Sequence, residues 1–208
     1  MRLRRSRLSE EQTERLLRSF VAGTAARRAA QAAGVNRHTA TFFYHRLRQV
    51  IARHLPRIDG DHDAAELEAE ALRAAHDGAR LTPLFGVIER AGRIYTVLPA
   101  RTPRAAAPRR APQPHVDALV CRCGTARRAT LRLVPLRAGR AADARAPLQV
   151  REFWCRAQKQ LGRFRGVPRQ HLELYVKECE WRFNYGSEHR LLQTLRLWLR
   201  ADRPARSR

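Results

Sequence analysis

Acid is what this sequence has least of relative to its opposite. Its 208 residues carry 19 Asp and Glu against 42 Lys and Arg, a formal net charge of +23. That excess is far larger than solubility requires and points to a polyanionic partner, most simply nucleic acid. Lysine is nearly absent, with Lys159 and Lys177 alone, so the charge is almost all arginine. Arg, Ala and Pro codons are rich in G and C, and codon drift accounts for a share of it. A charge of this size still binds DNA phosphates through counterion release. No apolar run is long enough to span a bilayer. The basic start MRLRRSRLSEEQ has no apolar stretch after it, so it does not read as a secretory signal. The expectation is a cytoplasmic protein without a membrane partner. Cysteine is sparse too: Cys121, Cys123, Cys155 and Cys179 have no zinc-ribbon spacing. They read as reduced, unpaired thiols. The length suits one or two domains with a core of ordinary size.

What is present begins with Ser9-Glu10-Glu11-Gln12, a capping-box signature that opens a helix. Leu16, Leu17, Phe20 and Val21 give that helix an apolar face, and Gly23 ends it. Ala30 then stands four residues before Gly34, with Val35 next and Ala40 and Phe43 further on. This is helix-turn-helix spacing: the small residue lets two helices approach, Gly supplies the turn and the apolar positions close a small core. Asn36 can cap the second helix, which begins at Arg37. Arg37, His38, Thr39, Thr41, His45 and Arg48 are then candidates to face a major groove, with Arg27 and Arg28 near the phosphate backbone. The same pattern also fits a helical hairpin with a solvated basic face.

PRIDGDHD, from Pro56 to Asp63, is a polar break. Its alternating acids fail as a calcium loop, because the Gly comes too early and no Glu closes a twelve-residue loop. Glu66 to Glu70 reads as strand or helix. Leu84 to Arg90 and Arg93 to Leu98 flank Ala91-Gly92 and read as a β-hairpin, and Asp117 to Cys121 as a further strand. Residues 99–148 are Arg/Ala/Pro-rich with weak periodicity and read as a disordered or poorly packed loop.

The C-terminal stretch is the most organised. Val150, Phe153, Trp154, Ala157 and Leu161 recur at helical spacing. Gly166-Val167-Pro168 breaks that helix and places Pro168 at the first turn of the next. Leu172, Val176, Cys179 and Phe183 mark a second apolar stripe, flanked by Lys177, Glu178, Glu180 and Arg182. After the turn Asn184 to Ser187, Leu191, Leu192, Leu195, Trp198 and Leu199 make a third helix.

The wording FW, RFRGVP and LYVKECEWRFN resembles the C-terminal end of the DDE transposase domain in small bacterial insertion-sequence transposases, the ISXO-like group. Gly34-Val35-Asn36 and Tyr44 to Arg48 are similar to that family's N-terminal helix-turn-helix. The resemblance implies an α+β chain: a helix-turn-helix domain over 1–55, a linker over 56–65, an RNase H-like α/β domain over 66–200 ending in helices, and a basic tail over 201–208. It implies binding to double-stranded DNA at inverted-repeat ends in the bacterial cytoplasm, in association with the nucleoid, and action as a homo-oligomer. It also implies cut-and-join chemistry with two Mg²⁺ ions held by two Asp and one Glu, carboxylates being suited to a hard cation. If the family's blocks keep their order while the middle loses its wording, out-of-frame translation across 99–148 is one origin of that stretch.

The carboxylates depart from the family's pattern. Glu70 falls where the first Asp belongs, and the second Asp is replaced by Cys123 or Arg122. Arg151 takes the place of the family's Glu, with Glu152 one residue late. One residue on a helix is a rotation of about 100°. Glu70 and Glu152 are thus the remaining candidates for catalysis and metal binding, and each also reads as a solvated surface carboxylate. The sequence supports a transposase with impaired catalysis, the alternative being a non-catalytic helix-turn-helix relic or regulator. Mg²⁺ is expected only if the chain is active.

Overall fold

The computed structural model describes residues 8–56, 86–97, 116–117, 128–129, 148–164, 167–168 and 171–202. In chain order the described elements are α1 (Glu10–Val21), α2 (Ala26–Ala33), α3 (Arg37–His54), β1 (Gly86–Arg90), β2 (Arg93–Val97), β3 (Val116–Asp117), β4 (Arg128–Ala129), α4 (Leu148–Gly162), β5 (Val167–Pro168), α5 (Leu172–Tyr185) and α6 (Glu188–Ala201). Most of the described chain is therefore helical, with short antiparallel strands beside the helices. The chain divides into two compact units: Met1–Leu55 with Tyr185–Arg208, and Pro56–Asn184.

The first unit is built from α1, α2, α3 and α6. Ser9 Oγ accepts from Gln12 N at 3.1 Å and Gln12 Oε1 accepts from Ser9 N at 3.0 Å, the reciprocal pair that the opening tetrapeptide predicts. Leu16, Leu17, Phe20 and Val21 are all buried, as the apolar spacing requires. α3 buries Ala40, Phe43, Tyr44, Leu47, Val50 and Ile51. Phe20 meets the Tyr44 ring edge-on at 5.0 Å, an arrangement that the ring quadrupoles favour.

Sequence order alone groups α6 with the helices just before it. It packs instead on α1 and α3, so the two ends of the chain share one unit. Leu191, Leu195, Trp198 and Leu199 form its buried face. Trp198 stacks on His54 with ring centroids 5.8 Å apart and meets the Tyr185 ring edge-on at 5.6 Å. Asp202 then accepts from Arg53 at 2.5 Å and pairs with His54 at 3.0 Å. Glu14 pairs with Arg196 of α6 and with Arg18 at 2.8 Å. Partial burial pushes the Glu14 carboxyl up, but the hydrogen bonds and charges of Arg18 and Arg196 outweigh it, and the group sits below the ordinary glutamate value.

The second unit centres on a hairpin. β1 and β2 pair antiparallel from Gly86↔Val97 to Arg90↔Arg93, and Ala91 and Gly92 both take positive φ, 51° and 72°. Two left-handed residues are what a tight hairpin turn with the right twist needs. β3 adds to the other side of β1, pairing Val87↔Asp117 and Ile88↔Val116, which gives the order β2-β1-β3. The strand expected at 117–121 thus begins at Val116, and 118–121 lie outside the described residues. One sheet face carries Val87, Ile94 and Thr96, all buried. Val150, Phe153, Trp154, Ala157 and Leu161 of α4, with Leu172, Val176 and Cys179 of α5, complete that core.

Pro168 does not open a helix. Val167 and Pro168 form β5 and pair with β4, Ala129↔Val167 and Arg128↔Pro168, and α5 starts only at Leu172. A two-residue strand tolerates a residue that cannot donate, and the fixed φ of proline suits extended backbone.

From sequence the charged residues of α5 are only the flanks of its apolar stripe. The structure instead buries Glu178 and Glu180, at 2% and 0% exposure. Glu178 accepts from Gln160 Nε2 at 3.1 Å and Arg182 Nε at 2.9 Å. Glu180 Oε2 accepts from Thr96 N at 2.9 Å, Thr96 Oγ1 at 2.5 Å and Lys177 Nζ at 2.8 Å. Lys177 Nζ also donates to the Thr96 carbonyl at 2.6 Å. One turn further along, the Asn184 amide accepts from Ile94 N at 2.9 Å and donates to the Ile94 carbonyl at 2.7 Å. β2 is an edge strand in the described sheet. Lys177, Glu180 and Asn184, at i, i+3 and i+7 on one helix face, satisfy the backbone groups of alternate residues along that edge. An open edge would otherwise be a template for pairing with another chain.

Candidate nucleic-acid interface

The join between α2 and α3 sets what α3 presents. Gly34 takes φ 62° and ψ 40° after the last turn of α2. Gly34 N donates to the Gln31 carbonyl at 3.2 Å and Val35 N to the Ala30 carbonyl at 3.0 Å, a Schellman closure. A Cβ on Gly34 would meet nothing within 4 Å, so the left-handed φ, and not space, is what calls for glycine. Asn36 Oδ1 then accepts from His38 N at 2.8 Å and starts α3 without delay. Ala29, Ala30 and Ala33 are buried. Small side chains at these positions allow α2 to sit close to its neighbours.

Beyond that turn, the first residues of α3 alternate sharply between core and solvent. Arg37, His38, Thr39, Thr41 and Phe42 are exposed, while Ala40, Phe43 and Tyr44 are buried. Thr41 Oγ1 donates to the Arg37 carbonyl at 2.9 Å. His45 is half-buried and its Nε2 lies 3.1 Å from Gln49 Nε2. Arg27 and Arg28 are exposed on α2. Neither α2 nor α3 has an acid in its first turn. A phosphate approaching these helix starts meets arginine and the positive end of the helix dipole, with no carboxylate in either first turn to repel it.

Arg48, one of the sequence-based candidates, is buried, and Phe42, which is not among them, is exposed. Arg48 is only 5% exposed, and its guanidinium lies 5.6 Å from the centre of the Phe20 ring. It belongs to the packing of α1 on α3, and its helical phase, one turn after Tyr44 and beside Leu47, already places it on the apolar face. Phe42 is absent from the sequence-based candidates although it falls off that apolar stripe, and it is 66% exposed.

Of the two carboxylates singled out for chemistry, Glu70 lies outside the described residues, as do Arg122 and Cys123. Glu152 is on α4, half-exposed, and pairs with Arg156 one turn on. Arg151 beside it is exposed. Among the described residues no three His, Cys, Asp or Glu side chains come together as a metal site. Cys155 is exposed and Cys179 is buried, and Cys121 is outside the described residues. No described helix is long and apolar enough to cross a membrane.

Over 32 residues, 15% of this chain, the sequence is 59% identical to an uncharacterized transposase-like protein of Haemophilus influenzae. The relationship this supports is to transposases. The matched stretch spans 26% of that relative's length. No protein-family profile and no solved structure matches the chain.

Proposed function

We propose that this chain is a transposase-derived protein that binds double-stranded DNA at the inverted-repeat ends of an insertion sequence, as a homo-oligomer, with impaired strand cutting and joining. In this reading α2 and α3 are a helix-turn-helix and the first half of α3 enters the major groove. The observation that carries it is the exposed run Arg37-His38-Thr39, continued by Thr41 and Phe42, beyond a turn closed by Gly34. Arg27 and Arg28 supply phosphate contacts, and the net charge of +23 supplies the sequence-independent part of the affinity. The second unit is read as a remnant of an RNase H-like domain, a reading supported by the order hairpin, strand, helices and by the resemblance of its C-terminal wording.

Impairment is read from the carboxylates. Glu152 is engaged with Arg156, and Glu178 and Glu180 are engaged with Arg182 and Lys177. These described carboxylates do not fit a pair of Mg²⁺ ions, which need several converging oxygen ligands. The same observation favours the second reading, a DNA-binding relic that occupies the ends without chemistry.

The test is a labelled duplex carrying the element's own ends, incubated with the protein and Mg²⁺ or Mn²⁺. A specific, salt-dependent mobility shift without cleavage is expected. Cleavage that disappears in Glu152→Gln would show a rebuilt metal site and overturn the impairment. No specific shift would overturn the function itself.

A further inference from the structure

Phe42 is the one large apolar side chain exposed on the face of α3 that carries the DNA-binding candidates, at 66% exposure. His38, Phe42, His45 and Gln49 stand at i, i+4, i+7 and i+11, a single line along the helix. The Gln49–His45 contact at 3.1 Å orders the line beyond the ring. A lone exposed aromatic is commonplace on protein surfaces. This one differs in its setting, since Arg37 precedes it on the same helix and Arg27 and Arg28 stand exposed on α2. Exposed arginines on the same two helices complement phosphate and oppose docking of an apolar protein surface, which would have to desolvate the guanidinium groups. Among base edges in the major groove, the apolar group is the 5-methyl of thymine.

We propose that Phe42 reads a thymine through its 5-methyl group, so that the site preferred by this chain has an A·T pair facing the middle of the exposed half of α3. The proposal rests on the DNA-binding reading above and deepens it. Phe42 contributes selectivity, while Arg27, Arg28 and Arg37 contribute affinity that does not depend on sequence.

The experiment uses the full chain. Preferred duplexes are selected from a random library, and each thymine of the selected site is then replaced in turn by uracil, which differs only in lacking the methyl group. One position is expected to lose about fourfold in affinity for the wild type, the effect of burying one methyl group. Phe42→Ala is expected to abolish that difference while retaining salt-dependent binding to unselected duplex; Phe42→Leu, which keeps an apolar side chain there, is expected to preserve part of it. A wild type that selects a site yet ignores uracil at every position overturns the role of Phe42 and leaves the DNA-binding reading standing. So does a Phe42→Ala protein that still discriminates, or one whose only change is weaker self-association. A wild type with no duplex preference at all overturns both.

Discussion

Glu180→Ala is expected to destabilise the second unit by about 3–5 kcal/mol, the usual consequence of removing one member of a buried ion pair. Lys177, only 14% exposed in its side chain, would keep its charge without a carboxylate, and the Thr96 N–H would be left without its acceptor. A cut of that size is a large part of the stability of a typical domain. The measurement is chemical denaturation followed by tryptophan fluorescence, since Trp181 lies on the same helix and is fully buried. A second variant separates two accounts. Replacing the pair together, Lys177→Met with Glu180→Leu, is often close to neutral where the pair is only an ion pair. Here the backbone groups of Thr96 would be deprived of both partners, each unsatisfied group costing about 1–3 kcal/mol. The double variant is therefore expected to remain destabilised and to aggregate through the uncovered β2 edge. A double variant as stable as the wild type would show that the edge needs no cover from α5.

This clamp also marks the limit of what the sequence discloses. The apolar stripe of α5 is legible from Leu172, Val176 and Cys179, because helical periodicity is local. The work of Lys177, Glu180 and Asn184 is not, because their partners Thr96 and Ile94 lie 81, 84 and 90 residues away. Charged residues beside an apolar stripe look solvated until the element covering them is known. The hairpin is legible because Ala91-Gly92 sits between two β-rich runs. The short pairing of Val167-Pro168 with Arg128-Ala129 is not, since nothing local to Pro168 distinguishes a helix start from an extended edge. In the first unit, the capping box and the Gly34 turn can both be read from single residues with single conformational roles. The burial of Arg48 runs against its charge, and only its helical phase points to Phe20.

The second large effect is expected from Trp198→Ala. Trp198 is 9% exposed and packs on His54 and Tyr185. Truncating a buried tryptophan costs about 3–5 kcal/mol, which for a unit of this size lowers the melting temperature by more than about ten degrees, at roughly 4–8 °C for each kcal/mol. The consequence reaches the N-terminal helices, because α6 supplies a wall of their core. Cooperative melting of the full chain, followed by near-ultraviolet circular dichroism, should show the shift. A melting temperature within a degree or two of the wild type would mean that α1 to α3 hold together without α6, as a 1–55 domain drawn from sequence alone would have it.

In the proposed DNA-binding mode, Arg27 and Arg28 on α2 and Arg37 at the start of α3 meet DNA phosphates. The most direct test is the salt dependence of binding to a random-sequence duplex, for the wild type and for Arg27→Ala/Arg28→Ala/Arg37→Ala. The slope of log affinity against log salt changes by about 0.9 for each phosphate that the protein no longer neutralises. The triple variant is expected to give a line shallower by roughly two to three units at unchanged fold. Parallel lines, with the slope intact, would place the DNA on some other surface of the protein and contradict this mode.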